Sequence, residues 1–333
     1  MKIGIVYTGI TSYMTDCWRE LARRQGVELR IWVEDTKAFR FKGDRAKALR
    51  DLWCHWDYSE NLTDIELRKA EHEILAFAPD IIFVCGWSRK LPPYIASSGR
   101  LAHIPMVLEM DMPWEWRFRK FAARFVLKRR LRRFSAVFVP GRSSARYARW
   151  LGFPKSRIYE GRNCIDSVKF AKRDMAYGKA GSGFLFVGRR VREKGLDILL
   201  KAYAEYQRLG GSWCLDVPEY VEPEDVPGVF HEHACLVVPS RWEPWGVVVL
   251  EAIAAGMKVI VSDKVCSRYD LPADAIFKSG SSRSLALAML GVERNTGPNA
   301  ARDGKGEHEL LEKYDVTAWA SRVLAICNDV LHA

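Results

Sequence analysis

Residues 240–256 read Ser-Arg-Trp-Glu-Pro-Trp-Gly-Val-Val-Val-Leu-Glu-Ala-Ile-Ala-Ala-Gly, a mixed loop followed by an apolar segment of helix length. The apolar run at 235–238 just before this stretch predicts a buried strand. Residues 247–255 are apolar and contain several alanines, and Gly256 after them predicts the end of a packed helix. The stretch therefore predicts a strand, a loop and a helix in succession.

Two carboxylates and a glycine mark the start of the predicted helix. Glu243 lies in the loop, and Glu251 lies in the second helical turn. Gly246 lets a ligand approach the backbone, where the amides of Gly246, Val247 and Val248 point outward. The arrangement predicts a site for a charged, hydroxyl-rich ligand. The alternative is an ordinary strand–turn–helix crossover with two surface acids.

This segment resembles the Glu-x7-Glu motif of retaining glycosyltransferases of the GT-B fold, the large bacterial family four in particular. Residues 184–195, Phe-Leu-Phe-Val-Gly-Arg-Arg-Val-Arg-Glu-Lys-Gly, are similar to the family's strand, Gly-Arg loop and Lys-Gly helix start. Residues 163–166 and Phe170 resemble the crossover between the family's two domains, and 258–263 resemble the strand after the motif. The N-terminal half is similar to the family only in its strand–helix rhythm.

The resemblance implies an α/β protein of the GT-B fold, in which two Rossmann-like parallel-sheet domains face a cleft. The rhythm of the first half agrees, because helix-length segments separate short apolar or β-branched runs at 2–7, 28–33, 80–85, 105–109 and 135–139. We expect an N-terminal acceptor-side domain at 1–164, a nucleotide-sugar-binding domain at 165–312, and a C-terminal helix at 313–333 that packs back on the first domain.

The second domain is expected to be shortened. Between 213 and 235 the chain offers one short strand, at 213–217, where family members usually have a further βα unit. We therefore expect a smaller second sheet and a nucleotide-base pocket built differently, on the backbone of Tyr220 and Val221.

The predicted chemistry requires positive charge. A nucleoside diphosphate leaves as an anion, so the site must supply charge that acts more strongly as the glycosidic bond breaks. Arg189 and Lys194 follow a strand, and a planar guanidinium and a point-charge ammonium both suit phosphate oxygens. In the family, the residues that match these two hold the diphosphate, the match of Glu243 contacts the hexose, and the match of Glu251 binds the ribose diol. The alternative for Arg189 and Lys194 is a pair of solvated surface cations; Arg190 is expected to be solvated.

We expect no metal and no cofactor beyond a nucleoside-diphosphate sugar as donor substrate. The sequence has no Asp-x-Asp pair at a strand end, and Glu109-Met-Asp111 is the nearest approach. The resemblance implies front-face attack with retention of configuration, in which the departing phosphate acts as base and no protein nucleophile is needed.

The first domain is expected to contribute residues at its strand ends, where ligands gather in open α/β sheets. Gly9 follows the first strand, where the family has a Gly-rich loop, but a lone glycine there is as often a simple turn. Met110 stands where family members commonly have His, so either Asp111 or Glu109 is expected to contact the sugar and the acceptor, with Trp114 nearby. The alternative for Asp111 is a helix cap.

The net charge of +11 predicts an anionic partner. Nine Lys or Arg residues lie within 117–133, interleaved with Phe118, Phe121 and Phe125 on one helical face. We expect this segment, with Arg129 and Arg130, to contact an anionic membrane through largely solvated basic side chains. A helix that packs its Phe stripe on the sheet is the alternative; nucleic acid is not an expected partner.

The length and composition of the chain fit a protein of two domains. At 333 residues and 48% hydrophobic, the chain can form two full cores, no apolar run is long enough to span a bilayer, and no signal peptide is recognisable. The eight scattered cysteines indicate free thiols, so a cytoplasmic protein, peripheral on the inner membrane face, is expected.

The expected acceptor is a glycan or a lipid-linked precursor. The alternatives are a transferase with a soluble sugar-phosphate acceptor and a non-catalytic module that binds glycan or membrane.

Overall fold

The computed structural model divides the chain into two compact units, unit 1 (residues 1–164 and 316–333) and unit 2 (residues 165–315). Each unit is built on one parallel sheet. The residues described are 1–34, 49–58, 62–87, 89–115, 118–171, 182–296 and 304–332.

Unit 1 contains a seven-stranded sheet in the order β3-β2-β1-β4-β5-β6-β7. Its strands are β1 (Lys2–Thr8), β2 (Glu28–Glu34), β3 (Cys54–Tyr58), β4 (Ile81–Cys85), β5 (Met106–Glu109), β6 (Ala136–Val139) and β7 (Ile158–Glu160). Its first helices are α1 (Ser12–Ala22), α2 (Asp64–Phe77), α3 (Leu91–Ser97), α4 (Phe118–Val126), α5 (Lys128–Leu131) and α6 (Arg142–Leu151). The five strands predicted for this half are present, and β3 and β7 extend the sheet at its two edges.

The strands of unit 1 are apolar because both faces of the sheet are covered. On one side Val6, Val84 and Met106 belong to a core cluster with residues of α2 and α3. On the same side, Leu108 and Val137 pack with residues of α6. On the opposite side, Tyr7 packs edge-on against Trp18 of α1, with ring centroids 5.1 Å apart. A sheet covered in this way leaves its strand ends as the places where polar side chains gather.

Unit 2 contains a five-stranded sheet in the order β12-β11-β10-β8-β9. Its strands are β8 (Phe184–Leu185), β9 (Leu215–Asp216), β10 (Cys235–Val238), β11 (Lys258–Ser262) and β12 (Ile276–Phe277). Its helices are α7 (Ser167–Phe170), α8 (Leu196–Arg208), α9 (Val226–His231), α10 (Val247–Ala254), α11 (Ser282–Arg294) and α12 (Gly304–Lys313). Two parallel-sheet α/β domains, of which the second has the smaller sheet, confirm the predicted fold class.

The last helix, α13 (Val316–Leu331), belongs to unit 1 and packs against α1. Trp319 of α13 is fully buried and its ring lies 6.4 Å from that of Phe138. The hydroxyl of Tyr159 donates a hydrogen bond of 2.8 Å to Asp329. The chain therefore returns to its first unit after unit 2 is complete.

All eight cysteines are free, and five of them are buried. Among the helices of the described ranges, none has both the length and the hydropathy of a transmembrane segment.

Candidate functional site

The loop between β10 and α10 holds Glu243 in a fixed position. The amide of Glu243 donates to the carbonyl of Lys264, and the amide of Cys266 donates to the carbonyl of Glu243, both at 3.2 Å. Two residues later, Trp245 is buried with its ring 5.1 Å from that of Tyr314, edge-on. Contacts on both sides of Glu243 therefore fix the backbone from which its carboxylate extends.

Two glycines allow this loop and its neighbour to lie close together. Gly246, just before α10, has φ 91°, and a Cβ there would lie 3.3 Å from Cγ of Glu243 and 3.1 Å from Cγ1 of Val265. Gly195, just before α8, has φ 71°, and a Cβ there would lie 2.1 Å from the carbonyl oxygen of Pro239. Any other residue would be strained at both positions.

Lys194 and Glu243 form an ion pair in which the ammonium donates to Oε2 of the carboxylate. Their side chains are 24% and 11% exposed, so the pair is accessible at its edge. The sequence predicted Lys194 as donor-binding and Glu243 as catalytic, but it did not predict that they would bind each other. The exposed edge of the pair leaves the Lys194 ammonium accessible to solvent.

Arg241 is a residue that sequence reasoning missed. Its guanidinium makes two parallel hydrogen bonds to Asp197, of 2.6 and 2.7 Å, and its Nη1 also donates to the carbonyl of Arg192 at 2.9 Å. Its amide donates to the carbonyl of Glu193 at 2.7 Å. Arg241 thus ties the loop of Glu243 to that of Lys194. Two features of the sequence could have indicated this link: Arg241 is a cation beside the motif, and Asp197 is an acid in the first turn of α8.

The Arg241 guanidinium also changes the acidity of its partner. Its hydrogen bonds lower the pKa of Asp197 to about 2. Asp197 is therefore ionised across the physiological range, and the link between the two loops is charged throughout it.

The remaining donor-side residues also lie in unit 2. Arg189 and Arg190 are both exposed in the loop after β8, as expected for Arg190, which also donates a 3.3 Å hydrogen bond to the carbonyl of Val217. Glu251 is half-buried in the second turn of α10. At the start of that helix, two half-buried residues carry backbone amides that lack intrahelical partners, namely Val247 and Val248.

In unit 1, Gly9 follows β1 with φ 85°, and its amide donates to the carbonyl of Glu34 at 3.1 Å. Asp111 follows β5 and is exposed, and its carbonyl accepts a 3.3 Å hydrogen bond from the hydroxyl of Ser144. Residues 110–115 form no helix, so Asp111 does not cap one.

Two aromatic side chains lie near this strand end. Trp114 is half-buried, with its ring 5.2 Å from that of Trp150, and is therefore partly a packing residue. The sequence did not indicate Tyr13. It lies close enough to Asp111 for the charge of that carboxylate to affect its pKa. Burial raises the pKa of Tyr13 to about 12, against the opposing charge of Arg162, and the Asp111 carboxylate adds to the rise.

Glu109 does not extend towards solvent as Asp111 does. It is 1% exposed, and its Oε2 accepts a 2.9 Å hydrogen bond from Nε of Arg162, which is 2% exposed. Burial raises the pKa of the Glu109 carboxyl, and the Arg162 guanidinium opposes that rise. Sequence reasoning also missed Arg162, although it immediately precedes the Asn163 segment on which the resemblance partly rests.

The basic segment exposes its phenylalanine face. Phe118 of α4 is 85% exposed and Phe125 is 67% exposed, while Phe121 keeps its ring 5.0 Å from that of Trp150. The opposite face carries Leu131, which is buried in the core. The alternative in which the Phe stripe packs on the sheet therefore fails for Phe118 and Phe125.

The basic side chains of this segment differ from one another. Arg129 and Arg130 are exposed, as expected. Arg133 was also expected to be solvated, and that is wrong: its Nη2 donates to the carbonyls of Leu101 and Ile104, at 2.7 and 2.8 Å. Arg133 is half-buried because its guanidinium lies against the two carbonyls to which it donates. Outside the described residues lie Arg117 and the side chain of Arg119.

Within the described part of the chain, no group of three or more His, Cys, Asp or Glu side chains is arranged to hold a metal ion. The predicted site residues of unit 2 lie in the loops after β8 and β10 and in the first two turns of α10, and those of unit 1 lie after β1, at or after the end of β5, and in α5.

Two family models match the chain. Residues 8–159 match the glycosyl transferase 4-like domain, and residues 214–302 match the glycosyl transferases group 1. A curated relative, an uncharacterized 41.2 kDa protein in the cps region of Klebsiella pneumoniae, is 35% identical over 96 residues. That match covers 24% of this chain and 27% of the relative, so it spans about a quarter of either protein.

Two solved structures resemble nearly the whole chain. HepE of Anabaena in complex with UDP has a TM-score of 0.74 at 14% identity, over 99% of this chain and 100% of that one. The sucrose-phosphate synthase of Thermosynechococcus elongatus has a TM-score of 0.73 at 14% identity, over 100% and 99% of the two chains. At this identity the likeness shows a shared fold.

Proposed function

The chain belongs to the glycosyltransferases of the GT-B fold, and we propose that it transfers a hexose from a nucleoside-diphosphate sugar to a hydroxyl acceptor. The observation that carries this proposal is the Lys194–Glu243 ion pair beside the start of α10. A cation for phosphate and a carboxylate for sugar hydroxyls lie in contact there, on loops that glycines bring together.

The diphosphate of the donor is neutralised by the protein. Arg189 and Lys194 bind its oxygens, and the first amides of α10 add partial positive charge. This stabilisation grows as the leaving group gains charge, which lowers the barrier to bond cleavage. Reaction through these groups needs no metal, so activity survives a chelator; loss in chelator and recovery with magnesium or manganese would contradict this.

The remaining roles follow the resemblance. Glu243, once Lys194 has turned to the phosphate, contacts the hexose as positive charge develops on its ring, and Glu251 binds the ribose diol. The role proposed for Asp111, in unit 1, is contact with the acceptor. The departing phosphate takes the acceptor's proton, and configuration at the anomeric carbon is retained.

The proposed acceptor is a lipid-linked or polysaccharide precursor at the cytoplasmic face of a membrane. The support is the exposed face of α4, where Phe118, Phe125 and Val126 are all more than 60% exposed. Exposed arginines follow in α5, among them Arg129 and Arg130. An apolar face beside a basic rim suits an anionic lipid surface, where each basic residue adds about 1 kcal/mol.

A donor screen tests the enzymatic proposal. We expect one of UDP, GDP, ADP, CDP or dTDP to raise the melting temperature, because a ligand that binds only the folded state stabilises it. The matching sugar nucleotides are then incubated with lipid extracts and free glycans, and release of the nucleoside diphosphate is measured. If no nucleotide binds, the remaining account is a non-catalytic module.

Vesicle sedimentation tests the membrane proposal. We expect the protein to sediment with anionic vesicles and to be released as salt rises, because salt screens charge-driven binding. Replacing Phe118 and Phe125 with Ser removes the apolar part, and replacing Arg129 and Arg130 with Gln removes the salt-dependent part. Arg133 must be kept, since it supports two carbonyls. Folded protein that binds no vesicles at any salt would favour a soluble acceptor such as a sugar phosphate.

A further inference from the structure

Arg162 links the ends of three neighbouring strands of unit 1. Its Nε donates to Glu109 at the end of β5, at 2.9 Å. Its Nη2 donates to the hydroxyl of Tyr7 in β1 at 2.6 Å and lies 3.3 Å from Sγ of Cys85 at the end of β4. Its Nη1 donates to Oδ1 of Asn163 at 2.7 Å. Because β1, β4 and β5 are adjacent in the sheet, one guanidinium joins all three strand ends.

The pair is too buried to be exchanged for a ligand. The side chains of Arg162 and Glu109 are 2% and 0% exposed. The second carboxylate oxygen of Glu109, Oε1, is also buried and has no hydrogen-bond partner among the described residues. The charge of Glu109 is therefore balanced mainly by Arg162, which makes Glu109 a counterion for Arg162 rather than a contact for substrate.

The residues just beyond these strand ends are the ones presented to ligands. Gly9 follows β1, Gly86 follows β4 and Asp111 follows β5 by two residues. The amide of Gly86 donates to the carbonyl of Glu109 at 2.9 Å, so the backbone of these ends is joined as well. Carboxyl ends of parallel strands are where α/β proteins bind ligands.

We infer that Arg162 is a positioning residue for the proposed transfer: by locking the ends of β1, β4 and β5, it fixes Asp111 in its reactive place. The inference rests on the proposed function, and it assigns the acceptor-side role to Asp111 and not to Glu109. A buried ion pair is a poor source of stability, because well-packed apolar residues of similar volume often replace it without loss. The position of the Arg162–Glu109 pair at the carboxyl ends of the strands, where α/β proteins bind ligands, explains its presence better than a contribution to stability does.

The test compares Arg162→Lys with the wild type. Lysine keeps the positive charge, but its single ammonium lacks the planar fork that reaches three partners. We expect kcat to fall by about a hundredfold, since small misplacement of a reacting group has effects of that size. Binding of the nucleoside diphosphate, a property of unit 2, is expected to stay unchanged. Hydrogen exchange of the Gly86 and Met110 amides is expected to speed up at least tenfold, as estimated for a loosened strand end.

Arg100→Lys is the matched control, because Arg100 pairs with Glu71 at 3.5 Å in the same unit, before the amino end of β5. It is expected to leave kcat and exchange unchanged. A second variant, Tyr7→Phe with Glu109→Leu and Arg162→Met, removes the charged pair without leaving a buried carboxylate. We expect it to fold and to lose turnover as Arg162→Lys does.

The inference is overturned if either variant, shown to be folded, keeps the wild-type kcat, or if exchange at Gly86 and Met110 does not change. The exchange measurement needs no substrate. If wild-type protein transfers no sugar but exchange rises in Arg162→Lys, the proposed function fails while the lock on the strand ends stands.

Discussion

Both units place a carboxylate and a cation near the carboxyl ends of their parallel strands, but the two pairs differ in their access to water. In unit 1 the side chains of Arg162 and Glu109 are 2% and 0% exposed. In unit 2 those of Lys194 and Glu243 are 24% and 11% exposed. A fully buried pair cannot change partners, because an unpaired charge left behind is too costly. The partly exposed pair can, since water or a phosphate can replace either partner.

The difference in burial indicates that two chemically similar ion pairs have different roles. We propose that the Arg162–Glu109 pair holds backbone in place and that the Lys194–Glu243 pair is available to a donor. The position of a charged residue at a strand end therefore does not decide its role; its burial and its number of fixed partners do.

The largest effect is expected where the buried pair is broken. Arg162→Ala leaves the Glu109 carboxylate buried without its partner, and we expect the free energy of unfolding to fall by about 3–5 kcal/mol. Urea denaturation measures it. Arg100→Ala removes a guanidinium that is 64% exposed, and its 8% exposed partner Glu71 keeps the hydroxyl of Ser98 as a donor, so the loss is expected to be less than about 1 kcal/mol. Equal losses in the two variants would remove the distinction between a buried and an exposed arginine.

The second largest effect is expected at the partly exposed pair of Lys194 and Glu243. Glu243→Ala removes a contact to the hexose where charge develops, and we expect kcat to fall by about a hundredfold with little change in the free energy of unfolding. Glu251→Ala removes a diol contact made in both ground and transition states, so it should raise KM for the donor instead. Steady-state kinetics separate the two.

Glu232→Ala is the control for both variants, because Glu232 is an exposed acid of unit 2 at the end of α9. It should have wild-type kinetics. Near-native activity of Glu243→Ala would show that the donor site is assigned to the wrong residues.

The smallest effect is expected at a third pair, Arg241 and Asp197, whose side chains are 33% and 57% exposed. The pKa of Asp197 is lowered to about 2 by Arg241, below the value of about 3.9 for an unfolded chain. Its contribution to stability is therefore complete above about pH 5 and is lost as the pH falls towards 2. Solvent screening limits that contribution to at most about 1 kcal/mol.

Asp197→Asn should accordingly be slightly less stable than wild type at pH 7 and equal to it near pH 2. Urea denaturation at several pH values measures the difference. Asp274→Asn, at an exposed acid in unit 2, should show no such pH dependence. A difference that grows as the pH falls would contradict the link between the two loops.

In unit 1 the sequence predicted the strands that are apolar on both faces and missed those at the two edges of the sheet. The run at 80–85 contains only apolar residues after Asp80, and it forms β4 as expected. The edge strand β3 reads Cys-His-Trp-Asp-Tyr, which has no buried-strand pattern, because an edge strand is not covered on all sides. Strand β7 has only three residues, all at least partly exposed, and so carried little signal.

The candidate site was predictable in its residue types and not in its pairings. Glu243 and Lys194 were indicated by motif spacing, but they are 49 positions apart, and their contact depends on how two loops pack. Arg162 and Glu109 are 53 positions apart, and no local pattern marks an arginine that will be buried. Long-range packing of this kind is set by the whole fold.

The central claim is that Lys194 binds the diphosphate of a nucleotide in unit 2. Titration calorimetry with the nucleoside diphosphate that stabilises the protein most tests it directly, with wild type, Lys194→Met and the control Lys201→Met, an exposed lysine of α8. The account predicts that Lys194→Met weakens binding by at least about tenfold, as loss of a charge-assisted bond of 1.5–3 kcal/mol would do, while Lys201→Met binds as wild type does. Equal affinity in all three proteins, or no binding to wild type, would contradict it.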